Sequence, residues 1–197
     1  MSDVTNIVIA GVGGQGTILA SRLLGMIALE NGLDIKVSEV HGMSQRGGSV
    51  ITYVRFGTKV HAPIVEEGEA DFLIAFEKLE AARWLHMIKR GGILIMNSQQ
   101  IPPSTVLSGT DTYPTDISEK LKAIKEISIY EIDALEIAKD SGFSRAANVA
   151  LMGTFAAVSN LPYESFVKSL KIILNNRYVE ENLQAFKKGY EGVRSTI

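Results

Sequence analysis

Val4-Thr5-Asn6-Ile7-Val8-Ile9-Ala10 runs straight into Gly11-Val12-Gly13-Gly14-Gln15-Gly16, and a helical pattern follows at once. The first run is apolar and rich in β-branched side chains, as a buried strand requires. After the glycines, Ile18, Leu19, Ala20, Leu23, Met26, Ile27 and Ala28 recur at three- and four-residue spacing, and Asn31-Gly32 supplies a stop that tolerates positive φ. Strand, tight glycine turn and helix in that order place the chain in the α/β class.

Outward from this unit, Leu33 to Val40 reads as a second strand with Glu39 at its end, and Ser49 to Phe56 alternates as a third, closed by Gly57-Thr58. Ala70 to Phe76 follows as a fourth strand, Glu77 to Arg90 as a helix stopped by Gly91-Gly92, and Ile93 to Asn97 as a fifth strand. Gln99 to Pro114 is a loop with at most a short strand at Val106-Leu107. Beyond it come a helix near Thr115 to Lys125, a strand at Ile127 to Tyr130 and a helix from Asp133 to Lys139. From Ala146 onward the pattern is helical in three segments, divided by Asn160-Leu161-Pro162 and Asn175-Asn176. The expected fold is a single domain over residues 1–197, a three-layer α/β/α sandwich whose central sheet is mixed but mostly parallel, Rossmann-like in its N-terminal half.

Composition narrows the function. The chain is 46% hydrophobic and 21% charged with a formal net charge of -2, which offers no basic field for nucleic acid. Met1 to Asn6 lacks the basic start of a signal peptide, and no apolar run approaches the roughly 18 residues of a bilayer span, so no membrane association and a cytoplasmic location are expected. With no cysteine, disulfides, thiolate nucleophiles and cysteine-ligated iron–sulfur clusters are unavailable to this chain. Metal ligation is not expected either, because His41, His61 and His86 lack ligand spacing.

Gly11, Gly13 and Gly16 match the spacing that brings backbone amides at a helix N-terminus close to a phosphate, with Gly14 and Gln15 between them. Glu39 ends the second strand, where a dinucleotide enzyme places a carboxylate for a ribose hydroxyl. It follows Gly11 by 28 residues, however, later than the roughly 20 of that fingerprint. The glycines also serve tight helix-on-sheet packing. Between the second and third strands, His41, Ser44, Gln45, Arg46, Gly47 and Gly48 form the leading site candidate, a polar loop framed by glycines, with the planar fork of Arg46 suited to a carboxylate or phosphate. A structural ion pair for Arg46 and a capping or packing role for His41 are the plainer alternatives. His61, before Ala62-Pro63, and His86, in the helical stretch, read as structural or exposed. Asn148, polar among small and apolar neighbours, needs partners if buried, and packing, an interface or ligand contact all remain open for it.

Taken together, the glycine turn and the run from Glu39 through His41-Gly42-Met43-Ser44-Gln45-Arg46-Gly47-Gly48 to Val50 resemble the gamma-type domain of 2-oxoacid:ferredoxin oxidoreductases. Within that family the pattern is most similar to the beta subunits of the indolepyruvate:ferredoxin enzymes. The segment Asn148 to Gly153 and the tail Ala185 to Glu191 also fit, so the resemblance covers nearly the whole chain. It implies one subunit of a complex that oxidatively decarboxylates a 2-oxoacid, forms an acyl-CoA and reduces ferredoxin. Thiamine diphosphate and the iron–sulfur clusters would belong to a larger partner subunit, and coenzyme A would be the co-substrate. Asn175-Asn176 has no upstream Gly-Asp-Gly of a thiamine diphosphate motif, in keeping with that division. The resemblance implies no catalytic residue in this chain, but a loop lining the approach of substrate or CoA. A stand-alone NAD-binding oxidoreductase or sensor and a purely structural assembly subunit are the alternatives.

Overall fold

In a computed structural model, which describes residues 4–41, 48–174 and 178–194, the opening unit forms as expected: β1 (Val4–Val12), a glycine turn, then α1 (Thr17–Glu30). Asn31 and Gly32 end α1, Gly32 at φ +70°, and the Leu33 amide turns back to donate to Ala28 O at 2.9 Å. The chain continues through β2 (Asp34–His41), β3 (Ser49–Gly57) and β4 (Ala70–Ala75), then α2 (Lys78–Arg83) and β5 (Ile88–Asn97). After these come α3 (Ser104–Leu107), α4 (Ile117–Lys122), β6 (Ser128–Ile132), α5 (Ala134–Lys139), α6 (Ala147–Val158), α7 (Tyr163–Ile173) and α8 (Val179–Arg194).

The strands form one mixed sheet in the order β2-β3-β1-β4-β5-β6. β1, β4, β5 and β6 pair in parallel, whereas β3 is antiparallel to both neighbours. β1 and β2 therefore run the same way, as in a Rossmann unit, with β3 inserted between them. Along β1 the side chains alternate between two cores. Ile7 and Ile9 join α1, α5, α6, α7 and α8 on one face, and Val8 and Ala10 join α2 and α4 on the other. That gives the three layers.

Two expectations need correction. Glu77 to Arg90 is not one helix: α2 is short, a 3-10 turn covers Leu85–Met87, and β5 has already begun at Ile88. Gly91 and Gly92 lie inside β5, where pairing jumps from Ala70↔Ile88 to Phe72↔Ile93. Gly91 sits at φ +75°, and a Cβ on Gly92 would lie 3.1 Å from Ala70 O, so these glycines build a bulge rather than a helix stop. Val106 and Leu107 form no strand but belong to the helical turn α3, whose Val106 and Leu107 amides donate to Pro103 O.

The edge strand β6 is pinned by Glu131, which accepts from Lys122 Nζ at 2.6 Å, Ser118 Oγ at 2.8 Å and Lys78 Nζ at 3.1 Å. Burial pushes this carboxyl up, but those donors outweigh it and hold the group below the usual carboxylate range. The stability it contributes is thus present above its unfolded pKa and is lost as pH falls through the depressed folded value. Glu131→Gln should lower the thermal midpoint at neutral pH, with the gap to wild type closing in acid titration.

α6 and α8 cross with backbones in contact. A Cβ on Gly153 would fall 2.0 Å from Phe186 O, and one on Gly189 would fall 2.0 Å from Ala150 O. Gly192, on the same helix as Gly189, has open space. Gly153→Ala or Gly189→Ala should each cost about 3 kcal/mol in denaturant unfolding, since the helices must part. Gly192→Ala should instead be neutral or stabilising by up to about 1 kcal/mol.

Candidate functional site

At the C-terminal end of β1 the backbone turns through Gly14 at φ +101° and Gly16 at φ +92°, conformations open to glycine at little cost. Gly16 caps α1 without a side-chain hydrogen bond, and the first turn of that helix carries no acidic residue. A Cβ on Gly16 would lie 2.2 Å from Asn148 Nδ2, so α6 presses directly on the turn. Asn148 Oδ1 accepts from the Val149 amide at 2.8 Å, which directs its Nδ2 towards Gly16.

Gln15 folds back over the strand ends. Its Oε1 accepts from Val12 N at 2.7 Å, and its Nε2 donates to Phe76 O at 2.9 Å and to Gln99 Oε1 at 3.3 Å. The backbone partners, a donor on one side and an acceptor on the other, fix the orientation of the carboxamide. Gly11 makes room: a Cβ there would stand 3.1 Å from both Gln15 Oε1 and Phe76 Cβ. Buried Asn97 extends the brace, donating to Phe76 O at 3.3 Å and accepting from Ala134 N at 3.1 Å.

α1, after β1, packs on one face of the sheet, and α2, after β4, packs on the other. Between β1 and β4 lies the place where α/β sheets open a crevice beyond their carboxyl ends. A cleft of about 430 Å³ occupies it, lined among others by Gln15, Phe76, Gln99, Leu135, Arg145 and Asn148. None of its described lining residues is acidic. Arg145 is exposed and has no hydrogen bond or ion pair among the described residues. The positive end of α1, a cation and several carboxamides make this cleft suited to an anionic group.

The glycine-framed loop emerges beside the same turn. His41 pairs with Val50, Val50 with Gly11 and Ser49 with Val12, and the Gly13 amide donates to Gly48 O at 2.9 Å. The foot of the loop is therefore tied to the glycine turn. Ser44, Gln45, Arg46 and Gly47 lie outside the described residues. Glu39 stands elsewhere. β3 separates its strand from β1 by two strand spacings, about 10 Å, and its Oε1 accepts from Ser21 Oγ of α1 at 3.1 Å. That is not the position of a ribose carboxylate, which in a dinucleotide fold sits on the strand next to the glycine turn. His86 is exposed in the 3-10 turn with Nδ1 3.1 Å from Arg83 O, and His61 is exposed. Among the described residues no cluster of three or more His, Cys, Asp or Glu could hold a metal, and no helix is long and apolar enough to cross a membrane.

The family model for pyruvate ferredoxin/flavodoxin oxidoreductase matches residues 6–192. The chain belongs to that family. Among its relatives, the indolepyruvate oxidoreductase subunit IorB of Thermococcus kodakarensis is 39% identical over 197 residues, spanning 98% of this chain and 97% of that protein. IorB of Archaeoglobus fulgidus is 35% identical over 189 residues, spanning 94% and 93%. The gamma subunit of a keto/oxoacid ferredoxin oxidoreductase from Geobacter sulfurreducens shares the fold at TM-score 0.73 and 22% identity, over 97% of this chain and 99% of that one. The pyruvate oxidoreductase subunit PORC of Thermotoga maritima does so at 0.74 and 20% identity, over 96% and 97%.

Within this family member, Arg145, Gln99 and Asn97 join the candidate site although the sequence had not singled them out. The partners of Asn97 and Gln99 across the sheet edge are distant in the chain, Arg145 reaches the cleft by the fold alone, and no local motif marks any of the three. If Gln15 is the brace, Gln15→Glu sets a carboxylate against Phe76 O and should cost about 2 kcal/mol. That loss should shrink at acid pH, where a protonated carboxyl can again donate, and denaturant unfolding at both pH values checks it.

Proposed function

We propose that this chain is the small, cluster-free subunit of a thiamine diphosphate-dependent 2-oxoacid:ferredoxin oxidoreductase, with an aryl pyruvate such as indolepyruvate as the 2-oxoacid. The complex would convert 2-oxoacid, CoA and oxidised ferredoxin into acyl-CoA, CO2, a proton and reduced ferredoxin, passing two electrons. The observation that carries this reading is the end-to-end match to indolepyruvate oxidoreductase subunits, 39% identical over 97% of the relative's length. The chain would act as one gamma-type domain spanning residues 1–197, in the cytoplasm, and would meet ferredoxin only through the complex.

A cysteine-free chain has no thiolate ligand for a cluster, so the clusters fall to the larger subunit, and the lack of a Gly-Asp-Gly motif assigns thiamine diphosphate there as well. When bound there, thiamine diphosphate supplies the electron sink for decarboxylation. This chain's own work would be to bind and orient. The loop from His41 to Gly48 lines the approach of substrate or CoA, and Arg46 holds a carboxylate or phosphate. The turn from Gly11 to Gly16, with Arg145 beside it, offers amides and a cation to a second anionic group or braces the contact between subunits. Glu39, on β2 and bonded to Ser21 of α1, and Asn148, on α6, support these elements.

In a reconstituted complex, Arg46→Ala should lower kcat/KM for 2-oxoacid-dependent ferredoxin reduction by at least about tenfold, while the thermal midpoint moves by less than about 2 °C. Equal turnover would remove the role given to Arg46. A chain serving assembly alone would instead leave the apparent CoA affinity untouched by any loop substitution.

A further inference from the structure

The first residue after the glycine-framed loop is held from across the sheet. Ser49 Oγ donates to Glu80 Oε2 at 2.5 Å, reaching from β3 to α2 over the end of β1. Glu80 is 4% exposed, and a carboxylate so buried is kept only where donors surround it. Trp84 Nε1 donates to the same oxygen at 3.2 Å, and Arg83 Nε lies 3.3 Å from Oε1.

Its backbone is fixed as firmly. The Glu80 amide donates to Glu77 Oε2 at 2.9 Å, and Glu77, 1% exposed, takes the Ile101 amide on Oε1 at 3.0 Å and the Tyr113 hydroxyl at 2.6 Å. Burial, reinforced by the Glu77 carboxylate, pushes the Tyr113 phenol well above its ordinary range, so it remains a donor. Two buried carboxylates thus join the segments around Ile101 and Tyr113 to Ser49, whose neighbour Gly48 accepts the Gly13 amide.

We propose that Glu80 is a positioning residue: through Ser49 it holds Gly48, the foot of the loop, against the Gly13 amide of the glycine turn. A single hydroxyl at position 49 transmits the hold. Ser49→Thr keeps it on a strand that accepts β-branched residues, and Ser49→Ala removes it. Glu80→Gln weakens it, because a carboxamide cannot accept at both ends and must turn its NH2 towards Arg83 or towards Trp84 and Ser49.

The test is amide hydrogen exchange in the full chain, read at Gly13, with Ile9 in the buried centre of β1 as reference. Ser49→Ala should speed exchange at Gly13 by at least about tenfold, with Glu80→Gln between it and wild type and Ile9 unchanged. Ser49→Thr should restore protection. Gly13 exchange within about twofold of wild type in Ser49→Ala would overturn the proposal, and this conservative variant keeps the test open should Glu80→Gln fold poorly. The functional consequence rests on the loop reading above. In the complex, Ser49→Ala should raise the KM for CoA or 2-oxoacid with kcat little changed. Faster exchange at Gly13 with unchanged KM would uphold the anchoring and remove the loop's role in binding.

Discussion

Where β1 and β4 part company at their carboxyl ends, each leaves a backbone group without a ladder partner, and one carboxamide serves both. Gln15 accepts from Val12 N and donates to Phe76 O, and the rest of this edge depends on that bridge. It needs Gly11 to be bare and Gly14 and Gly16 to adopt positive φ, and it holds the turn where α6 can press Asn148 upon Gly16. An unmade bridge would strand the Val12 donor and leave Phe76 O only the longer bond from Asn97, a larger cost than the net worth of the bonds themselves.

The same glycines that resemble a dinucleotide fingerprint are therefore put to another use. In a dinucleotide fold the space over the turn takes the pyrophosphate and the adjacent strand brings the ribose carboxylate. In this chain the side chain of Gln15 lies across the strand ends, and β3 stands between β1 and Glu39. What the inserted strand brings instead is the foot of the polar loop, delivered by register to the edge of the turn. The inserted strand thus moves the expected carboxylate away from the turn.

The sequence made the strand–turn–helix unit and the helical segments from Ala146 onward legible, because their signals are local: periodicity, glycine at helix ends, and proline before α7. It misled where two structures share one signal. Gly91-Gly92 reads equally as a helix stop and as a bulge, and only the pairing of Ala70 with Ile88 decides between them. Val106-Leu107 looks apolar enough for a strand but has no partner to pair with, so its amides close on Pro103 instead. At the site, the glycines, Gln15 and Asn148 were in view from the start. The brace itself was not, because Gln15 reaches 61 residues along the chain to Phe76 and 84 to Gln99. Glu80 was hidden for the same reason, 31 residues from Ser49 in a stretch that read as one amphipathic helix.

The central claim is that this fold, with its turn braced and its loop anchored, acts by completing a larger subunit and not by binding a dinucleotide of its own. The direct measurement is 2-oxoacid- and CoA-dependent ferredoxin reduction by the larger subunit, purified with and without this chain. The account predicts turnover only when both are present, from a partner that carries the clusters and thiamine diphosphate. A larger subunit equally active alone, or this chain by itself binding NAD tightly through Glu39, would contradict it.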